Sequence, residues 1–171
     1  MGEAPMLHHA VLRAAEVASS VVVVLAPGAP EPPMPPGVVV GFTRDAVEGQ
    51  GPLEAVHAGL LATGSDLALL VAGDMPELVT PVLVEMLHVA REASVEAVAL
   101  QDGDRFRPLP SVVRAAPALD ATEALLLGGW RRLRDLLGAL RIAVVDEATW
   151  QALDPERRTL FDVDELGDLE R

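Results

Sequence analysis

The stretch "LLVAGDMPEL", residues 69–78, runs apolar and small residues into one carboxylate, Asp74, followed by Met75-Pro76. The carboxyl end of a buried strand is where open α/β sheets bind ligands, and a carboxylate there is a hard oxygen donor suited to magnesium. The plain alternative is an Asp that closes a turn before a proline. A second acid, Asp45, follows the apolar Val38-Val39-Val40 and lies on the same ligand-binding side if that strand is parallel; a solvated loop acid is the commoner use of a single Asp. Gly51-Pro52 then opens a helical pattern. Unpaired N–H groups and the dipole at a helix start favour a phosphate, although Gly-Pro also opens many purely structural helices. Further on, Asp162 and Asp164 flank Val163 and face one side of an extended segment. Together with Asp74 they offer oxygens for a hard cation, whereas Asp164 alone serves equally well as the cap of a final helix. Arg131, Arg132 and Arg134 form the one basic cluster, suited to an anionic substrate or to the solvated face of a helix. His8, His9, His57 and His88 share no metal-ligand spacing and receive no role.

The elements that must position these groups follow from the apolar periods. Pro5 opens a helix with Leu7, Val11, Ala14 and Ala18 on one face. Residues 20–25 are apolar and β-branched and read as a strand buried on both faces, the kind found in parallel sheets. Residues 26–37 are too rich in Pro for either regular state, so they form a stiff loop before a short strand at 38–40. A helix from Pro52 carries Leu53, Val56, Leu60 and Leu61 at core spacing, a strand spans 67–72, and Thr80-Pro81 caps and starts the next helix. A strand at 95–100 turns at "QDGD" into an antiparallel partner at 109–114. Asp120 and Glu123 have capping-box spacing, a helix is expected over 130–140, short strands at 142–145 and 160–163, and a last helical turn or two after Asp164. Alternating helix and buried strand predict an α/β domain with a mainly parallel sheet and one antiparallel member.

Composition narrows the partners. A chain of 171 residues, half of them hydrophobic, suits a single domain with its own core. A net charge of −13 opposes non-specific binding to nucleic acid or an anionic membrane and leaves a small ligand, or a metal bridging acid to acid, as the fitting partner. With no cysteine there is neither disulfide nor thiolate metal site, and a cytoplasmic location is the expectation. Lys is absent too; every basic residue is Arg.

In order along the chain, "GEAPMLHHAVLRA", "RDAVEGQGPLEAVHAGL", "LLVAGDMPEL", "RFRPLPSVVR", "LLLGGWRRLRDLL" and "LFDVDELGDL" resemble the motifs of the molybdenum cofactor guanylyltransferase family, within the nucleotidyltransferase superfamily. The resemblance covers essentially the whole chain. It implies a three-layer Rossmann-like fold and transfer of GMP from GTP to molybdopterin with Mg²⁺. Carried over by position, it makes Asp74 the Mg²⁺ ligand, with Asp45, Gly51, Pro52 and Asp74 at the nucleotide and Arg107 and Arg131 at the substrate. Asp162 and Asp164 fall on two Asn positions of the family, where carboxylates still suit a metal but repel a bare phosphate. The family also begins with a strand and a Gly-rich loop, Leu-Ala-Gly-Gly-x-x-x-Arg-Met-Gly, followed by a Lys, and this sequence contains neither. The resemblance therefore predicts a sheet lacking its first central strand, between the strands at 20–25 and 67–72, a protein whose native start lies upstream, and an impaired activity. Two alternatives remain. Gly73 before Asp74, where the family has Cys, resembles related cytidylyltransferases or another transferase acting on a phosphorylated acceptor. The other alternative is a non-catalytic relative that binds a pterin or a partner. Open strand edges also favour self-association.

Overall fold

The strand from Ala97 to Asp102 is the most deeply buried, and its alternation shows how the layers are built. A computed structural model of the chain describes residues 5–45, 49 and 51–161. Its elements are α1 (Met6–Ala15), β1 (Val21–Leu25), β2 (Val40–Arg44), α2 (Pro52–Ala62), β3 (Leu67–Leu70), α3 (Thr80–Glu92), β4 (Ala97–Asp102), β5 (Arg105–Arg114), α4 (Ala115–Leu127), α5 (Leu133–Ala139), β6 (Ile142–Val145) and α6 (Glu147–Leu153), followed by a 3-10 turn, Arg158–Leu160. On one face of β4, Val98 and Leu100 pack with Val112 and Val145 against Val82, Met86 and Ala90 of α3 and Trp150 of α6. On the other face, Ala97 and Ala99 pack with Val113 against Leu60 of α2, Ala118 of α4 and Leu137 of α5. Helices thus cover both faces of the sheet, and the period of two along each strand assigns every side chain to one layer or the other. Among the described residues no helix is long and apolar enough to cross a membrane.

The strands form a four-stranded sheet in the order β3-β5-β4-β6 and a separate parallel pair, β1-β2. β4 and β6 are parallel, while β5 runs antiparallel to both β3 and β4. β5 is therefore the one antiparallel member expected of a mainly parallel sheet, and the α/β class holds.

The sheet is interrupted where the sequence reading places a missing central strand. Among the described residues, β1 pairs only with β2 and β3 pairs only with β5, so each keeps one ladder edge without a strand partner. Their burial reflects it. Of the five apolar residues of β1 only Val23 is buried, and none of Leu67, Ala68, Leu69 and Leu70 is, against four successive buried residues in β4. The expectation that residues 20–25 are buried on both faces is thus corrected. α2 spans the interruption: a Cβ at Gly59 would stand 3.3 Å from Val24 of β1, while Leu60 joins the layer that holds Ala68 and Leu70 of β3.

Several local expectations shift. The strand expected at 38–40 begins at Val40, because Val40 pairs with Val21 at the first rung of β1; Val39 lies before the ladder and is 70% exposed. Val79, not Thr80, is the N-cap of α3, and the Thr80 hydroxyl donates instead to the Glu16 carboxylate. α4 starts at Ala115, directly after β5, so Asp120 and Glu123 lie inside the helix rather than at its cap. The helix expected over 130–140 narrows to α5. Leu160 ends a 3-10 turn rather than starting a strand, and residues 162–171, with the expected last helix, lie outside the described residues. The sequence reading assigns no element to α6, although Asp146 caps it by accepting from the Thr149 amide at 2.8 Å, a spacing visible in "DEAT".

Candidate nucleotide and metal site

Asp74 sits on a turn whose anchors are apolar. After β3 the Met75 amide donates to the Ala72 carbonyl at 3.3 Å, and Met75 and Leu78 are buried with Leu83 of α3 among Leu69, Val71, Ala72 and Leu109. A Cβ at Gly73 would lie 3.3 Å from Leu7 of α1, so the first helix rests against this turn. Two buried side chains below and a helix beside it hold the backbone, and Asp74 itself is exposed. The arrangement displays one carboxylate beyond the carboxyl end of a strand, as the ligand-binding rule for α/β sheets requires.

Gly51 and Pro52 meet Arg131 at the start of α2, and Asp45, at the end of β2, lies within electrostatic reach of Glu54 on the same helix. The Asp45 amide donates to the Leu25 carbonyl at 3.0 Å, extending the β1–β2 ladder by one rung. Its Oδ1 is buried without a hydrogen-bond partner among the described residues. Burial pushes the Asp45 carboxyl above the ordinary carboxylate range, and the nearby Glu54 carboxylate on α2 adds to the effect. A buried acceptor of this kind lacks only a donor. At the start of α2, Gly51 has φ of 91° and closely faces Arg131: a Cβ there would stand 3.0 Å from the Arg131 carbonyl oxygen and 3.2 Å from its Cβ. The Leu53 amide donates to that carbonyl at 3.4 Å, the Glu54 amide to the Gly51 carbonyl at 3.3 Å, and Pro52 has no amide hydrogen. Several donors that would cradle a phosphate at this helix start are therefore already engaged by protein. The Arg131 Nη1 donates to the carbonyls of Leu126 at 3.0 Å and Trp130 at 2.8 Å, at the carboxyl end of α4 where the helix dipole favours a cation. Beside the start of α2, Thr43, Arg44, Glu54, His57, Ala58 and Leu61 line an open cleft of about 310 Å³.

Residues 1–144 match the model of the MobA-like NTP transferase domain. The chain belongs to that family. It is 32% identical over 171 residues to a probable molybdenum cofactor guanylyltransferase of Mycobacterium avium, covering 98% of this chain and 80% of that protein. To a probable molybdenum cofactor guanylyltransferase of Methanosarcina mazei it is 29% identical over 131 residues, 77% of this chain and 58% of the relative. Among solved structures it resembles molybdopterin-guanine dinucleotide biosynthesis protein A from Archaeoglobus fulgidus, with a TM-score of 0.65, 25% identity and coverage of 76% of this chain and 65% of that one. A 2-C-methyl-D-erythritol 4-phosphate cytidylyltransferase from Thermus thermophilus shares the fold, with a TM-score of 0.71 at 20% identity over 96% of this chain and 85% of that one.

Within this MobA-like domain the remaining sequence-derived positions separate. Arg107 lies on β5 and donates from Nε to Asp102 Oδ2 at 2.8 Å, so an anionic ligand would compete with a carboxylate already in place. Asp162 and Asp164 lie outside the described residues. Among the described residues no three His, Cys, Asp or Glu side chains gather as a metal cage. Sequence reasoning misses Asp154 and Thr159, two polar residues that are almost wholly buried between α6 and the turn after Asp74. Their partners are backbone amides, which no residue-type pattern reveals.

Proposed function

We propose that this MobA-like domain is built for Mg²⁺-dependent transfer of GMP from GTP to molybdopterin. The observation that carries the reading is Asp74: an exposed carboxylate on a turn fixed by buried Met75 and Leu78, in a chain similar along nearly its whole length to a probable molybdenum cofactor guanylyltransferase. Among the described residues Asp74 fits magnesium as one carboxylate ligand, because Mg²⁺ is commonly held by one or two carboxylates with substrate phosphates and water completing the shell. When bound, the ion would offset charge developing on the phosphates as the acceptor phosphate attacks the α-phosphorus and pyrophosphate leaves. Asp74 would orient that ion and the phosphates it carries. Asp45, with one oxygen buried and unpaired among the described residues, would accept a hydrogen bond from the nucleotide. Gly51 and Pro52 would shape the helix start beside it and Arg131 would close that side through its backbone, while Arg107 would reach the substrate only by sharing Asp102. Asp162 and Asp164 would add oxygens to the metal.

The test of function is a titration with GTP and CTP, with and without Mg²⁺. Weak, Mg²⁺-dependent binding that favours GTP and is lost in Asp74→Asn is the expected result. A preference for CTP would favour the cytidylyltransferase alternative, and pterin binding with no nucleotide binding the non-catalytic one.

A further inference from the structure

The segment leaving α6 takes no part in the function proposed above, yet it is fastened at both ends. At one end Arg157, in the left-handed region with φ of 57°, donates to Glu147 Oε1 at 2.6 Å and to the Asp102 carboxylate. Its guanidinium lies 5.0 Å from the centre of the Trp150 ring, and the Trp150 Nε1 donates to the Gln101 carbonyl at 2.7 Å. These contacts tie the segment to the tip of the β4–β5 hairpin. A left-handed residue other than glycine is held in place only by surroundings that over-determine it.

At the other end the ties lead towards Asp74. Asp154 is 2% exposed, and its two oxygens accept from the amides of Arg158 at 3.0 Å and Thr159 at 2.7 Å. Thr159 is fully buried, and its Oγ1 accepts from the Val79 amide at 3.2 Å. Val79 is the N-cap of α3 and ends the stretch from Asp74 that Met75 and Leu78 anchor from below. The apolar anchors fix the depth of this stretch. The Thr159 hydroxyl fixes where its far end meets α3, by accepting from the half-buried Val79 amide at the N-cap of that helix.

We propose that residues 154–159 are a strap that positions the Asp74 turn, with Thr159 as the positioning residue. Asp154 holds the 3-10 turn so that the Thr159 oxygen meets Val79, and Arg157 carries the same constraint to the hairpin that bears Arg107. The consequence for metal binding rests on the reading of Asp74 as a ligand; the mechanical coupling does not. Hydrogen exchange on the full chain tests the coupling. Thr159→Val should speed exchange in peptides covering 74–79 by about tenfold, the loss of one buried hydrogen bond, with β4 unchanged. Thr159→Ser, which keeps the acceptor, should restore wild-type protection, and Asp154→Asn should give a smaller change of the same local pattern. Wild-type rates at 74–79 in Thr159→Val, or a uniform acceleration that Thr159→Ser also shows, would overturn the proposal. Mn²⁺ titration in the presence of GTP reads the consequence separately, with about tenfold weaker binding expected in Thr159→Val and recovery in Thr159→Ser. Wild-type protein that binds no Mn²⁺ would count against Asp74 as a ligand, while the exchange result alone would still decide the strap.

Discussion

Replacing Asp45 by Asn should make the ligand-free protein more stable while weakening its hold on nucleotide. One oxygen of Asp45 is buried without a partner among the described residues, and the carboxyl pKa is raised first by burial and then by the Glu54 charge. A carboxyl raised in the folded state costs nothing below its unfolded pKa of about 3.9, and the cost grows to its full value as pH climbs through the folded pKa. Asn removes the charge and its repulsion from Glu54 but leaves an acceptor still seeking a donor, so only part of the penalty of about 1–3 kcal/mol for an unsatisfied buried group is recovered. We expect a gain of about 1 kcal/mol at neutral pH, a rise in Tm of about 2–4 °C for a chain of this size. The gain should shrink towards zero as pH falls below about 3.9, where the carboxyl takes up its proton in the folded and the unfolded state alike. Thermal unfolding followed by circular dichroism across this range measures it. An Asp45→Asn protein that is less stable at neutral pH, or whose advantage does not change with pH, would refute the reasoning.

Gly51→Ala should destabilise by about 1–3 kcal/mol, seen as a lower urea midpoint, because a left-handed backbone and the Arg131 carbonyl 3.0 Å from the new Cβ act together. Gly28→Ala, where φ is 74° but the space is open, should cost only about 1 kcal/mol. The Asp102 carboxyl is held below its usual range, first by its hydrogen bond from Arg157 and then by that from Arg107. Its contribution is therefore fully present above about pH 4 and lost as pH falls through the lowered value. Fluorescence of Trp150, stacked under Arg157, should report a loosening that begins only in acid and is absent in Asp102→Asn. The edges of β1 and β3 that are unpaired among the described residues should drive association of this chain as its concentration rises, measured by sedimentation velocity; an 18.0 kDa monomer throughout would contradict this.

The layered fold was legible because β1, β3, β4 and β6 are short and mainly apolar, and because β5 follows β4 through the tight turn at Gly103. Boundaries shifted where tertiary partners overrode local signals: Val38 and Val39 suit a strand, but no β1 residue stands opposite them. Thr80 has a capping side chain, but Glu16, just beyond α1, takes its hydroxyl. For the candidate site, sequence singled out Asp45, Gly51 and Asp74 as individual residues. It could not show that Gly51 meets the Arg131 backbone, since a carbonyl contact between residues so far apart in the chain leaves no trace in residue type. Thr159 and Asp154 were unreadable for the same reason: their partners are amides.

If Asp74 holds the metal of a guanylyl-transfer site, the metal should depend on both the carboxylate and the nucleotide. Mn²⁺ binding followed by electron paramagnetic resonance, with GTP present and with CTP present, tests this on the wild-type chain and on Asp74→Asn. Bound Mn²⁺ should require a nucleotide, be greater with GTP than with CTP, and disappear in Asp74→Asn. Equal binding in the variant, or binding that ignores the nucleotide, would contradict the assignment of Asp74.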